Sequence, residues 1–176
     1  MSVAVIKYNA GNIYSVIYAL QRLGIEPLLT DVPEEIRRAD KVIFPGQGEA
    51  SSAMRYLREK GLDEVIKNLT QPVLGICVGL QLMCRHSEEG DADCLGIFDV
   101  DVKRFPAGQK VPHMGWNDVQ ITGGALCQGL RPDAYLYYVH SYYTELSDFT
   151  TATNKYILPY SVALEKDNFY AIQPHL

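Results

Sequence analysis

The chain has 176 residues, 47% of them hydrophobic and 21% charged, and a formal net charge of −5. That length supports one domain with a sizeable core, and the mix is that of an ordinary soluble globular protein. The acidic balance and the absence of a polybasic run exclude nucleic acid and anionic membranes as expected partners, and no apolar run reaches the length of a membrane span. The four cysteines, Cys77, Cys84, Cys94 and Cys127, form neither a C-x-x-C pair nor a zinc framework. No metal is expected, and reduced thiols fit a cytoplasmic location. A strand pattern begins at Val3, so neither a secretory leader nor a transmembrane run is expected.

In chain order, residues 3–8 are apolar and β-branched and read as a strand. Asn12 can cap a helix over 13–23, where Val16, Ile17, Leu20 and Leu23 recur at helical spacing and Gly24 sits just past the end. Residues 25–29 read as the second strand, 33–39 as a short helical turn, 41–44 as the third strand, 49–60 and 62–68 as helices, and 73–76 as the fourth strand. Strands alternating with helices predict a parallel sheet covered on both faces. The second half changes character. Residues 99–104, 116–120, 135–139, 150–156, 160–165 and 169–173 all read as strands, with Lys166-Asp167-Asn168 as a hairpin turn. The expected fold is α/β, with a mixed, mainly parallel central sheet, flanking helices and an antiparallel section, in one domain over 1–176.

Gly75-Ile76-Cys77-Val78-Gly79 lies between the fourth strand and a segment, 80–84, that reads as helix. A nucleophile at a sharp strand-to-helix turn, with glycine two residues to either side, is a nucleophile elbow. The turn strains the apical residue, and only glycine lets the flanking backbone fold back on itself. The helix N-terminus behind Cys77 is expected to favour the thiolate. Against this stands the ordinary fate of a free cysteine, which is to be a small buried core residue.

A thiol nucleophile needs a base, and four histidines are available. His86 lies in a polar segment and reads as solvated. His113 lies in a loop around Pro112. His140 ends the strand over 135–139, and His175 follows the last strand. Chemistry in α/β sheets gathers at the carboxyl ends of strands, which places His140 and His175 ahead. Acyl transfer also needs an oxyanion hole. The Val78 N–H supplies one donor, and Pro45-Gly46-Gln47-Gly48, after the third strand, is the source of a second. The same stretch is a poor dinucleotide fingerprint, because Ser51 stands where the third glycine belongs.

These motifs together resemble the class I glutamine amidotransferases, and within them the family of glutaminase subunits of imidazole glycerol phosphate synthase. The resemblance rests on Tyr8-Asn9-Ala10-Gly11-Asn12, Phe44-Pro45-Gly46-Gln47-Gly48, Gly75 to Gln81, Pro112-His113-Met114-Gly115-Trp116-Asn117 and Tyr138-Val139-His140-Ser141-Tyr142-Tyr143, in family order. It implies hydrolysis of L-glutamine to glutamate and ammonia, with the ammonia passed to a (βα)₈ cyclase subunit making imidazole glycerol phosphate in histidine biosynthesis. It implies no cofactor. Cys77 would be the nucleophile and His175 the base. The N–H groups of Gln47 and Val78 would form the oxyanion hole. Gly46, Gly48, Gln81, His140, Ser141 and Tyr142 would surround glutamine, and Asn12, Trp116 and Asn117 would face the cyclase. The resemblance leaves two rivals: the glutaminase of pyridoxal phosphate synthesis, and a cyclase-binding subunit with impaired catalysis.

The chain departs from the family pattern in three places. Gln47 stands where the family usually has valine, and Pro174 where it has an aromatic residue. The family continues after His175 with Pro-Glu-Lys-Ser and a closing helix, so a domain lacking that closing segment is expected.

Overall fold

Val3-Ala4-Val5-Ile6 is buried along its whole length, as a strand covered on both faces must be. It is β1 (Val3–Ile6) of a computed structural model that describes residues 1–9, 13–46 and 48–175. The first half continues through α1 (Ile13–Arg22), β2 (Leu28–Thr30), α2 (Pro33–Arg38), β3 (Lys41–Phe44), α3 (Ala50–Glu59), α4 (Leu62–Lys67), β4 (Val73–Ile76) and α5 (Val78–Met83). The second half is β5 (His86–Ser87), β6 (Ala92–Asp93), β7 (Asp101–Arg104), β8 (His113–Asp118), β9 (Gln120–Ile121), β10 (Tyr135–His140), β11 (Tyr142–Thr144), β12 (Thr150–Tyr156), β13 (Leu158–Lys166) and β14 (Phe169–Ile172).

Among the described residues the main sheet holds twelve strands, running β2-β1-β3-β4-β14-β13-β11-β7-β5-β6, with β12 paired to β13 and β9 to β12. From β2 to β14 every neighbouring pair is parallel. Beyond β14 the pairings with β13, β11 and β7 are antiparallel. The last strand of the chain therefore sits in the middle of the sheet, beside β4. β8 and β10 form a separate antiparallel ribbon.

Several expectations change. α1 ends at Arg22, and Leu23 is 75% exposed rather than part of the buried stripe. The Ile25 N–H turns back to the Leu20 carbonyl, which delays β2 to Leu28. His113 opens strand β8 instead of lying in a loop. His140 ends a strand of the ribbon, not one of the parallel sheet. His86 is not merely solvated: on the short strand β5 its ring nitrogens lie 3.1 and 3.0 Å from the carboxylates of Asp91 and Asp93.

Candidate active site

β4 runs into Cys77, whose backbone sits at φ 56 and ψ −113, and α5 starts at the next residue. A non-glycine residue in this region is strained, and such strain persists only where the surroundings enforce it. The enforcement is close packing. A Cβ on Gly79 would lie 2.0 Å from the Phe44 carbonyl oxygen, and one on Gly46 would lie 2.4 Å from the Gly79 nitrogen. The obstacles are backbone atoms, so the elbow and the loop after β3 lock together only because both positions are glycine.

The thiol is 4% exposed. Burial pushes it up to about 11, against the downward pull of the Val78 N–H, and the Glu89 carboxylate adds to the rise. The expected thiolate is therefore not the resting form at neutral pH. α5 is six residues long, and the favourable field of so short a helix is outweighed by desolvation.

Above the elbow, the Tyr8 hydroxyl donates to the Pro45 carbonyl, and its ring packs on Phe44 with centroids 5.4 Å apart. Burial, and then the neighbouring Cys77, raise the Tyr8 hydroxyl, which stays a donor. Cys77 opens onto a cleft of about 270 Å³ lined by Gly48, Val78, Gln81, Glu89, Pro112, Val139, His140, Ser141 and Tyr142. Gly48, Gln81, His140, Ser141 and Tyr142, assigned to substrate from the sequence, thus lie around Cys77. Gly46 lies behind it, in the packing of the loop. Gln47 and Asn12 fall outside the described residues. A larger apolar cleft of about 400 Å³, with Leu20, Ile43, Leu74 and Tyr170 in its wall, contains no cysteine or histidine.

His140 donates from Nδ1 to the Tyr142 carbonyl at 2.7 Å, while Nε2 is buried without a partner. Burial pushes the ring down to about 4, so it is neutral at pH 7 and a poor proton acceptor. That argues against the sequence ranking that put His140 among the bases. His113 is stacked between Tyr138 and Tyr156, with centroids 5.1 and 4.0 Å away. His175 comes just after β14 and is tied to the ribbon, its N–H donating to the Tyr137 carbonyl at 2.9 Å. Trp116 is 69% exposed, with its ring 5.6 Å from that of Tyr137. Asn117 is half-buried and turned inward, its amide directed at His113 and Asn154, both at 3.3 Å.

Sequence reasoning missed two groups beside the thiol. Glu89 sits in an acidic pair that looks solvated, yet its carboxylate accepts the Ala50 N–H at 3.0 Å and caps α3, whose own N-cap residue Glu49 makes no side-chain bond. The one hint in the sequence is that α3 lacks a capping residue. Gln173, which follows β14, had no local signal at all.

Residues 2–114 match the profile of the CobB/CobQ-like glutamine amidotransferase domain. The chain is 60% identical to the imidazole glycerol phosphate synthase subunit HisH of Bacteroides thetaiotaomicron, over 99% of this chain and 91% of that protein. It is 44% identical to the protein of the same name from Escherichia coli K12, over 99% of this chain and 91% of that one. Among solved structures, a glutamine amidotransferase superposes with a TM-score of 0.76 at 19% identity, covering 99% of this chain and 90% of the other, a likeness of fold. The chain belongs to the family of imidazole glycerol phosphate synthase HisH subunits, within the glutamine amidotransferases.

Proposed function

We propose that this chain hydrolyses the side-chain amide of L-glutamine through a Cys77 thioester and delivers the ammonia to a (βα)₈ cyclase partner that makes imidazole glycerol phosphate. The observation that carries the reading is the strained cysteine at the mouth of a cleft, in a chain 60% identical to a HisH subunit. Sγ attacks the amide carbon as its proton passes to His175. The developing oxyanion takes N–H bonds from Val78 and from Gln47 in the loop after β3. Collapse expels ammonia with the proton returned by His175, and water then cleaves the thioester to give glutamate. The Glu89 carboxylate, in the cleft wall, suits the α-ammonium group of the substrate. This route needs no metal or organic cofactor. Trp116 and the outer face of the ribbon dock the cyclase, and Asn117 supports that face from inside rather than touching the partner.

The test is glutamate release with and without the cyclase, for the native chain and for Cys77→Ala. Turnover is expected only with Cys77 and only with the partner. Glutamate release by Cys77→Ala at the native rate would remove Cys77 from the chemistry. One observation favours the second reading, a cyclase-binding subunit with impaired catalysis: burial keeps the thiol protonated. Under that reading, adding cyclase leaves Cys77 as unreactive as before.

A further inference from the structure

Gln173 follows β14 directly and is 1% exposed. β14 lies parallel to β4 with Ile172 beside Ile76, and the Cys77 N–H donates to the Ile172 carbonyl at 2.8 Å. This register carries the residue after one strand to the residue after the other. Gln173 Nε2 accordingly lies 3.7 Å from Cys77 Sγ.

The orientation of that amide is set by contacts that begin at the backbone. The Tyr142 carbonyl can only accept, so Gln81 must turn its Nε2 towards it, at 3.2 Å. The same Nε2 donates to Gln173 Oε1 at 3.0 Å. With its oxygen so engaged, Gln173 points its own N–H at the sulfur. Reversing either amide would set two donors, or two acceptors, against each other in a buried site, which costs more than the bond gains.

We infer that Gln173 is a catalytic residue that donates a hydrogen bond to the Cys77 sulfur and favours its thiolate form, and that Gln81 is the positioning residue that aims it. The inference rests on Cys77 being the nucleophile proposed above. A bond to sulfur strengthens when the sulfur becomes an anion, so it stabilises the attacking form more than the resting one. The groups facing the thiol divide. Val78 N–H and Gln173 N–H favour the anion, whereas burial and the Glu89 carboxylate oppose it. Tyr8 lies close as a protonated hydroxyl. His140 shares the cleft as a neutral ring, and His175 stands two residues beyond Gln173.

The experiment is alkylation of Cys77 by iodoacetamide as a function of pH, read by mass spectrometry on the intact full-length chain. The thiolate displaces iodide and forms a thioether. No oxyanion develops, so the rate reports thiol ionisation and access alone. Gln173→Met keeps the side-chain length and removes the donor. The alkylation midpoint is expected to move up by about half to one pH unit, and the rate at fixed pH below the midpoint to fall about three- to tenfold. Gln81→Met should shift the midpoint the same way by less, because the Gln173 amide is then free to rotate. If Gln173→Met does not fold, Gln173→Glu keeps an acceptor for Gln81 and removes the donor, and it must raise the midpoint too. An unmoved midpoint, with rates changed equally at every pH, would mean that Gln173 only packs and would overturn the inference. A shifted midpoint in a chain that releases no glutamate with cyclase would overturn the proposed function and leave this inference standing.

Discussion

At Cys77 two local forces oppose each other, and their balance sets the reactivity of the whole site. The N–H groups at the start of α5 draw the thiol towards ionisation, while burial drives it up to about 11. The other thiols are held by burial as well, Cys94 up to about 12 and Cys84 further still. A glutamine-analogue electrophile offered with the cyclase is therefore expected to label Cys77 alone, and comparable labelling of Cys84 or Cys94 in the folded chain would sink the assignment. Tyr8 acts at the same scale. Tyr8→Phe removes the donor to the Pro45 carbonyl without disturbing the ring on Phe44, so it should cost about 1 kcal/mol and lower Tm by about 2–4 °C. A thermal melt indistinguishable from the native one would show that the bond adds nothing to stability. The elbow was legible because strand, turn, flanking glycines and nucleophile are contiguous in sequence. Glu89 and Gln173 were not, because each reaches the thiol through pairings made 39 or more residues away.

The ribbon of β8 and β10 is the element that faces two ways. Trp116 pairs with Tyr137 on one side, while His113, Tyr138 and His140 point into an aromatic interior. Trp116→Ala should weaken association with the cyclase at least about tenfold while leaving Tm within about 2 °C, measured by calorimetry on both. Unchanged affinity would take Trp116 out of the interface. The inner face predicts a pH dependence. The folded value of His140 is about 4, against an ordinary 6.5, because burial disfavours the charged ring. Between those values the folded chain binds fewer protons than the unfolded one. Stability is thus unaffected above pH 6.5 and falls as pH drops from 6.5 towards 4, by up to about 3 kcal/mol, with His113 pulling the same way. His140→Phe should flatten the decline of Tm over that range, and parallel declines in the two proteins would refute the cause. The sequence gives β8 away poorly. Pro112 and Gly115 interrupt it, and it has no β-branched residue, so only its second half reads as strand.

Across the whole molecule, the parallel half of the sheet could be read from the sequence, because each strand and its crossover helix are local and alternate. The order of the antiparallel half could not, since β14 reaches β4 only by non-local pairing. Asn168 guides that pairing. In the turn before β14 its amide donates to the carbonyls of Leu69 and Gln71, at 2.9 and 2.8 Å, and so fixes where the last strand enters. Asn168→Ala is expected to cost about 1–3 kcal/mol and to lower turnover with the cyclase, because the same register sets Gln173 against Cys77. A variant that loses stability but keeps full turnover would separate the two effects. The tie between the His175 N–H and the Tyr137 carbonyl has a further consequence. Tyr137 lies on the outer face of the ribbon, so the segment bearing the proposed base hangs from the same strand that meets the outside. For pharmacology this offers a handle remote from the substrate: an antibody fragment or small molecule wedged against Trp116 and Tyr137 would displace the base without entering the cleft. Its inhibition should then be non-competitive with glutamine.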